Sequence, residues 1–175
     1  MATLKMCDSQ PSEQDTNILS GKWALYAHLP HDTDWSLDSY KVIKKFNTVD
    51  EIIALFNVVP EKLVKNCMLF IMREDIKPMW EDKQNRNGGC FSFKVPNKSV
   101  FTVWKNIGYS LVGETLGKKQ DYSKIINGIT ISPKRAFCII KVWLSNCNYQ
   151  SPFILNDIPE LSSHGCIFKK HNPEY

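Results

Sequence analysis

No apolar run in the sequence approaches the ~20 residues that a membrane-spanning helix needs, so nothing in it reads as a bilayer span. No charged and then apolar leader opens it either: MATLKMCDSQPSEQDTN is polar, and no signal peptide is expected. The six cysteines, Cys7, Cys67, Cys90, Cys138, Cys147 and Cys166, include no C-x-x-C pair and fit no common zinc spacing. Free, mostly buried thiols in a reducing compartment are the expectation. Phosphate-cradling and dinucleotide glycine motifs are missing, and so is the serine-hydrolase elbow. Histidines are few: His28 and His31 form an isolated H-x-x-H, which reads as a polar loop or a weak metal signal. Glu81 and Asp82 are adjacent, so on an extended segment they point apart and make a poor acid–base pair. No catalytic set, metal site or cofactor is therefore expected, and the chain is read as a non-enzyme.

The sequence does have material for a core. Its 175 residues are 43% hydrophobic and 11% aromatic, enough for one packed domain and too much for a mainly disordered chain. The net charge of +4 is mildly basic and compatible with an anionic partner without requiring one. Residues 1–19 are polar and predict a flexible tail. Residues 20–175 contain no internal repeat and no linker that would divide them, which predicts a single domain.

Several segments alternate as strands do. Trp23, Leu25, Ala27 and Leu29 fall on one face of the first. Segments 41–46, 67–72, 90–95, 126–131 and 137–144 follow, and 67–72 is apolar enough for a central strand. Two segments have helical spacing. Thr48 and Glu51 form a capping box ahead of Val49, Ile52, Ile53 and Phe56. A second helix runs over 99–112 with the stripe Val100, Val103, Trp104, Ile107 and Leu111. A short helix over 121–127 is a third candidate. Strands with helices interspersed predict an α+β fold: a curved, mostly antiparallel sheet with helices packed on its convex face and a concave side free to bind.

Of the five tryptophans, Trp23 and Trp104 sit on apolar stripes and read as core. Trp35 lies in the polar run PHDTDWSLDS, and Trp80 in IKPMWEDKQNRNGG, with proline before it and paired glycines after. Large aromatics in polar loops are candidates for stacking on a ligand. Trp143 stands on the last clear strand, where core packing and ligand contact are equally open.

These segments resemble, in collinear order, the eukaryotic translation initiation factor 4E family. PMWED at 78–82 with Asn85 to Gly89 is similar to that family's signature loop. GKWALY at 21–26 resembles its first strand, FNTVDEIIALFN at 46–57 its first helix, and LVGE at 111–114 the end of its second. The resemblance covers roughly residues 20 to 145. It implies a protein that binds the 7-methylguanosine cap of messenger RNA and promotes translation initiation, cytoplasmic and monomeric, with no cofactor.

The resemblance further implies that Trp35 and Trp80 sandwich the methylated base. N7 methylation makes that base a delocalised cation, and each indole face gains about 0.5–2 kcal/mol from it. Glu81 would accept hydrogen bonds from the N1 and N2 donors of guanine, and Trp143 would pack on the N7 methyl. Basic residues must meet the phosphates: Lys134 falls at a family arginine, Lys141 shares a strand face with Trp143, and Arg135 is a third candidate. Two family basic positions depart, being Ile139 and Cys90 here.

On the convex face, family members take a partner helix from the scaffold factor 4G or from a repressor with a similar motif. The matching positions are Asn17, Ile18 and Leu19 with Val49, Ile53, Lys105 and Tyr109; Asn17–Ile18, Ile53 and Lys105 depart from the usual histidine–proline, tryptophan and leucine. Val49 and Ile53 also admit a plain reading as part of the helix core face. The departures leave open a divergent paralogue that represses translation, and a general single-strand RNA-binding module is a further alternative. A C-terminal helix of the family kind cannot be placed after Leu144, and residues 164–170 are a candidate for closing the cap slot.

Overall fold

The computed structural model describes residues 17–173. The expected flexible tail falls mostly on residues 1–16, which together with Cys7 lie outside the described residues. Its end does not: β1 (Ile18–His28) already includes Ile18 and Leu19, so the sheet begins earlier than position 20.

Six further strands follow: β2 (Tyr40–Thr48), β3 (Met68–Arg73), β4 (Gly89–Pro96), β5 (Ile126–Pro133), β6 (Phe137–Leu144) and β7 (Ile167–Lys170). They form one curved antiparallel sheet in the order β2-β1-β3-β5-β6-β4-β7. The helices are α1 (Val49–Val58), α2 (Glu61–Asn66), α3 (Val100–Val112) and α4 (Gln120–Lys124). The arrangement is the expected α+β architecture.

Alternation along the strands sorts residues between two faces. Trp23, Leu25 and Ala27 join Leu69, Ile71, Phe91, Phe93, Ile129, Ile131, Ile140 and Val142 against the helices, in the main core. Leu29 does not continue that row. It lies past the end of β1 and is exposed, because the chain has already turned at Pro30 and His31. The opposite, concave face carries a smaller cluster: Ala24, Tyr26, Phe70, Met72, Ile76 and Trp143, with Tyr40, Met68 and Trp80 packed on it.

The expected capping interaction starts α1: Thr48 Oγ1 accepts from the Glu51 N–H at 3.3 Å, and Glu51 accepts from the Asn47 N–H at 2.9 Å. Ile52, Leu55 and Phe56 enter the core, while Val49 and Ile53 stay exposed, so these two do not belong to the helix core face. The predicted stripe of α3 is fully buried. Gly108 on α3 faces Phe56, and a Cβ there would collide with that ring, so glycine sets how closely α1 and α3 pack. Beyond α3, Arg73 donates two hydrogen bonds to Glu114, at 2.7 and 2.9 Å, and Nε donates to the Ile126 carbonyl at 3.0 Å. This bidentate pair ties the ends of β3, β5 and α3 together.

Two elements have no counterpart in the sequence reading. The α2 helix is six residues long, too short to show periodicity. β7 is mostly exposed, so it has no apolar alternation to betray it. The predicted helix over 121–127 is real but ends at Lys124, where β5 takes Ile126 and Asn127.

Candidate functional site

Three segments far apart in sequence converge over the concave face. The cleft between them holds about 460 Å³ and is lined by Trp35 from the first connection and Tyr40 at the start of β2, Pro78 to Glu81 from the third connection, and Lys141 and Trp143 from β6. Met68, Phe70 and Asn172 complete the lining. The four base-contact candidates, Trp35, Trp80, Glu81 and Trp143, and one phosphate candidate, Lys141, thus share one cleft.

Trp143 forms part of the floor. Its indole is 4% exposed, and Nε1 donates to the Thr130 hydroxyl on the neighbouring strand at 2.7 Å. That bond satisfies the buried donor and fixes the ring's rotation. Phe70 meets Trp143 edge-on at 6.5 Å, and Tyr40 meets Phe70 at 5.4 Å. The Tyr40 phenol is pushed up to about 12, first by burial and then by the Glu81 carboxylate across the cleft. At neutral pH it is therefore an uncharged hydroxyl, beside a carboxylate.

Trp35 is presented by the turn after β1. Asp34 accepts from the Ser36 N–H and hydroxyl, both at 2.8 Å, and these bonds hold its carboxyl below the usual range. Behind Trp35 lies His28, stacked at 4.0 Å with the rings 7° from parallel. The His28 Nε2 is 2.8 Å from the Asp34 carbonyl, which can only accept, so this nitrogen carries a proton. His28 is accordingly not a loop residue: it is buried at the end of β1 as a backing plate for Trp35. His31, the other histidine of the H-x-x-H, sits in the turn with φ 68°. Trp35 remains 55% exposed, with its other face available.

Trp80 and Glu81 are presented by a loop that would be floppy without internal anchors. Asn85 is fully buried and supplies them. Its Nδ2 donates to the carbonyls of Lys77 and Met79, each at 2.9 Å, and its Oδ1 accepts from Asn127 Nδ2 at 2.9 Å. Asn127 also donates to the Gln84 carbonyl at 2.8 Å, and Asp82 accepts from the N–H groups of Lys77 and Gln84. Asp82 is thus a turn-former rather than a chemical partner of Glu81. The loop closes at Gly88, whose Cβ position is occupied by the Leu144 carbonyl, so only glycine fits there.

The phosphate candidates separate. Lys141 lines the cleft. Lys134 and Arg135 stand exposed on the β5–β6 hairpin turn, outside the lining residues. A lysine not among the phosphate candidates, though inside the 164–170 segment expected at the slot, stands nearer. Cys90 pairs with both Trp143 and Lys169, so the three share a face in one row across β6, β4 and β7. Lys169 Nζ is 5.6 Å from the Trp80 ring centroid. Burial raises the Cys90 thiol, while the Lys141 ammonium, the Ser92 hydroxyl and the Lys169 ammonium act to lower it. No motif marks Lys169; only its register against Cys90 does.

On the opposite face, Val49 and Ile53 are 36% and 43% exposed on α1, beside Ile18 at 63%. The Asn17 carbonyl accepts from the Val49 N–H at 2.8 Å, pinning the chain's approach to α1. Tyr109 on α3 packs edge-on against Phe56 at 4.9 Å, and Lys105 lies 5.6 Å from the Phe101 ring centroid. The four candidate partner positions therefore occupy the helical side, away from the cleft. The thiols Cys67, Cys90 and Cys138 are buried, and Cys147 and Cys166 are half-buried.

Comparison with known proteins follows the same lines. The family model described as eukaryotic initiation factor 4E matches residues 18–162. The chain is 33% identical over 158 residues to eukaryotic translation initiation factor 4E of Eremothecium gossypii, covering 86% of this chain and 69% of that protein. It is 32% identical over 129 residues to eukaryotic translation initiation factor 4E-1 of Caenorhabditis elegans, covering 70% of this chain and 59% of that protein. Among solved structures, C. elegans eIF4E-3 in complex with the 4E-binding protein Mextli and a cap analog shares the fold with a TM-score of 0.68 at 24% identity, covering 75% of this chain and 76% of that one. Schistosome eIF4E complexed with m7GpppG and 4E-BP gives a TM-score of 0.71 at 20% identity, over 80% of this chain and 78% of that one. The family match spans most of the sheet and all four helices, and on that evidence the chain belongs to the eukaryotic initiation factor 4E family.

Proposed function

We propose that this protein binds the 7-methylguanosine cap of messenger RNA and acts in translation initiation. The observation that supports it best is the convergence of Trp35, Trp80, Glu81 and Trp143 on one cleft from three separate segments. Trp35 and Trp80 take the two faces of the cationic base, where each ring adds a cation–π contribution to stacking. Glu81 accepts from N1 and N2, a donor pair that adenine lacks. Trp143, fixed by Thr130, meets the N7 methyl at the floor. Lys141 takes the phosphate nearest the base, with Lys169 beside it, and Lys134 and Arg135 serve the part of the chain that reaches the hairpin. The protein acts by binding rather than turnover, as a cytoplasmic monomer whose residues 18–173 form a single unit.

On the helical side, Val49, Ile53, Lys105 and Tyr109 form the docking patch for a helix of the scaffold factor 4G or of a repressor with a similar motif. Ile53 and Lys105 favour a second reading of the same cap-binding site, in which scaffold capture is weak and the protein represses. Pull-down with a scaffold helix peptide separates the two. The base reading is tested by Glu81→Gln, which keeps the shape and replaces one acceptor by a donor facing guanine donors. Loss of one charge-assisted bond at about 1.5–3 kcal/mol predicts cap affinity falling by roughly 10- to 100-fold. Unchanged affinity in both Glu81→Gln and Trp80→Ala would defeat the reading.

A further inference from the structure

His171 leaves the end of β7 and turns inward, with its N–H donating to the Gly88 carbonyl at 2.9 Å. Its ring is 3% exposed. It lies along Trp80 with centroids 5.6 Å apart and planes 16° from parallel, and tilts against Trp143 at 4.9 Å. Nδ1 is 2.7 Å from the Asn85 carbonyl, which can only accept. Nδ1 therefore carries the proton, and Nε2 is left with a bare lone pair. That Nε2 is buried without any hydrogen-bond partner. The site is thus built for a neutral imidazole: a second proton would sit on Nε2 with no acceptor beside it.

We propose that His171 is the positioning residue for Trp80: its neutral ring sets the angle at which that indole meets the base, and its protonated form disables recognition of a cationic base. The inference rests on reading the cleft as a methylated-base clamp. An imidazolium against Trp80 would occupy the negative face of the ring that otherwise polarises toward the base, and would repel the base's positive charge. The charged groups that face His171 are Lys141 on β6, which opposes its protonation, and Glu81 on the Trp80 loop, which favours it. Lys169, on its own strand, also lies close to Trp80. Burial is the largest influence and lowers the imidazole below its ordinary value, so the neutral form prevails at pH 7 and recognition fails in acid.

The test compares wild type with His171→Phe, which keeps a flat ring that cannot be protonated, and with His171→Ala, which removes the plate. The probe is the 7-methylguanosine nucleoside, which has no phosphate to titrate. Between about pH 7.5 and pH 5, wild-type affinity falls several-fold, whereas His171→Phe falls less than about twofold. Comparing variants cancels titration of the ligand. His171→Ala binds weakly at both values while keeping its circular dichroism spectrum. Identical acid profiles in wild type and His171→Phe, with wild-type affinity in His171→Ala, would overturn the proposal. The free protein supplies an independent readout. The Trp80 indole N–H resonance moves with pH in wild type and not in His171→Phe; a resonance that is flat in both would equally overturn it. A moving resonance in a protein that binds no methylated nucleoside at any pH would sink the base reading and leave the positioning role standing.

Discussion

Asn85 is the side chain on which presentation of Trp80 and Glu81 depends, and two substitutions there should differ in a way that only its hydrogen bonds explain. Asn85→Ala removes two donated bonds, to the carbonyls of Lys77 and Met79, and one accepted from Asn127. At about 0.5–1.5 kcal/mol each, with Asn127 keeping its second bond to Gln84, the loss should be roughly 2–3 kcal/mol. Asn85→Asp has almost the same volume and still accepts from Asn127. It aims a carboxylate oxygen at two carbonyl oxygens 2.9 Å away, in a fully buried position. Burying an unpaired charge costs more than deleting a bond. The aspartate variant should therefore be the less stable of the two, although it is the more conservative in shape. Urea unfolding followed by far-ultraviolet circular dichroism measures the difference, and a common slope keeps the comparison valid. Both variants should also lose cap affinity, because the loop's anchors to Lys77 and Met79 flank Trp80. An aspartate variant as stable as the alanine one, or either variant binding cap like wild type, would refute this account of the loop.

Two other substitutions bear on the edges of the site and on the far face. Lys141→Gln and Lys169→Gln should each reduce the affinity gained on going from methylated nucleoside to triphosphate by about 3- to 10-fold, and flatten its salt dependence, with nucleoside binding unchanged. Lys134→Gln and Arg135→Gln should do less; the reverse ranking, read by fluorescence titration, would move the phosphates to the hairpin. On α1, Ile53→Trp should strengthen capture of a scaffold helix peptide by restoring a large interface side chain, by about 2 kcal/mol. Ile53→Asp should abolish capture without touching cap affinity, and calorimetry with each ligand separates the two effects.

What the sequence reading reached and what it missed follow physical lines. Strand alternation and the α3 stripe marked the core because burial imposes periodicity: Trp23, Trp104 and Ile107 are where their spacing put them. Trp35 and Trp80 were visible as aromatics out of place in polar runs. Their supports were not. His28 and His171 back the two indoles, yet each reads as an ordinary histidine until the fold brings it to its ring. Asn85 and Asn127 are loop residues in sequence, and only their meeting across 42 positions shows a clamp. β7 lacks apolar alternation because its side chains are largely exposed, so Lys169 could not be placed opposite Cys90 without the sheet. Val49 and Ile53 obey helical spacing and are still exposed, since periodicity locates a stripe and does not say what covers it; only the family resemblance placed them on an outer face.

The central claim is that two indoles and a carboxylate recognise a cationic methylated guanine. Titrating the protein with 7-methylguanosine triphosphate and with guanosine triphosphate, following tryptophan fluorescence, tests it most directly. The expected result is strong quenching and tight binding for the methylated nucleotide, and affinity weaker by at least about fivefold for the unmethylated one, which lacks the cation–π contribution from both rings. Equal affinities would contradict it, leaving a cleft that stacks bases without reading their charge.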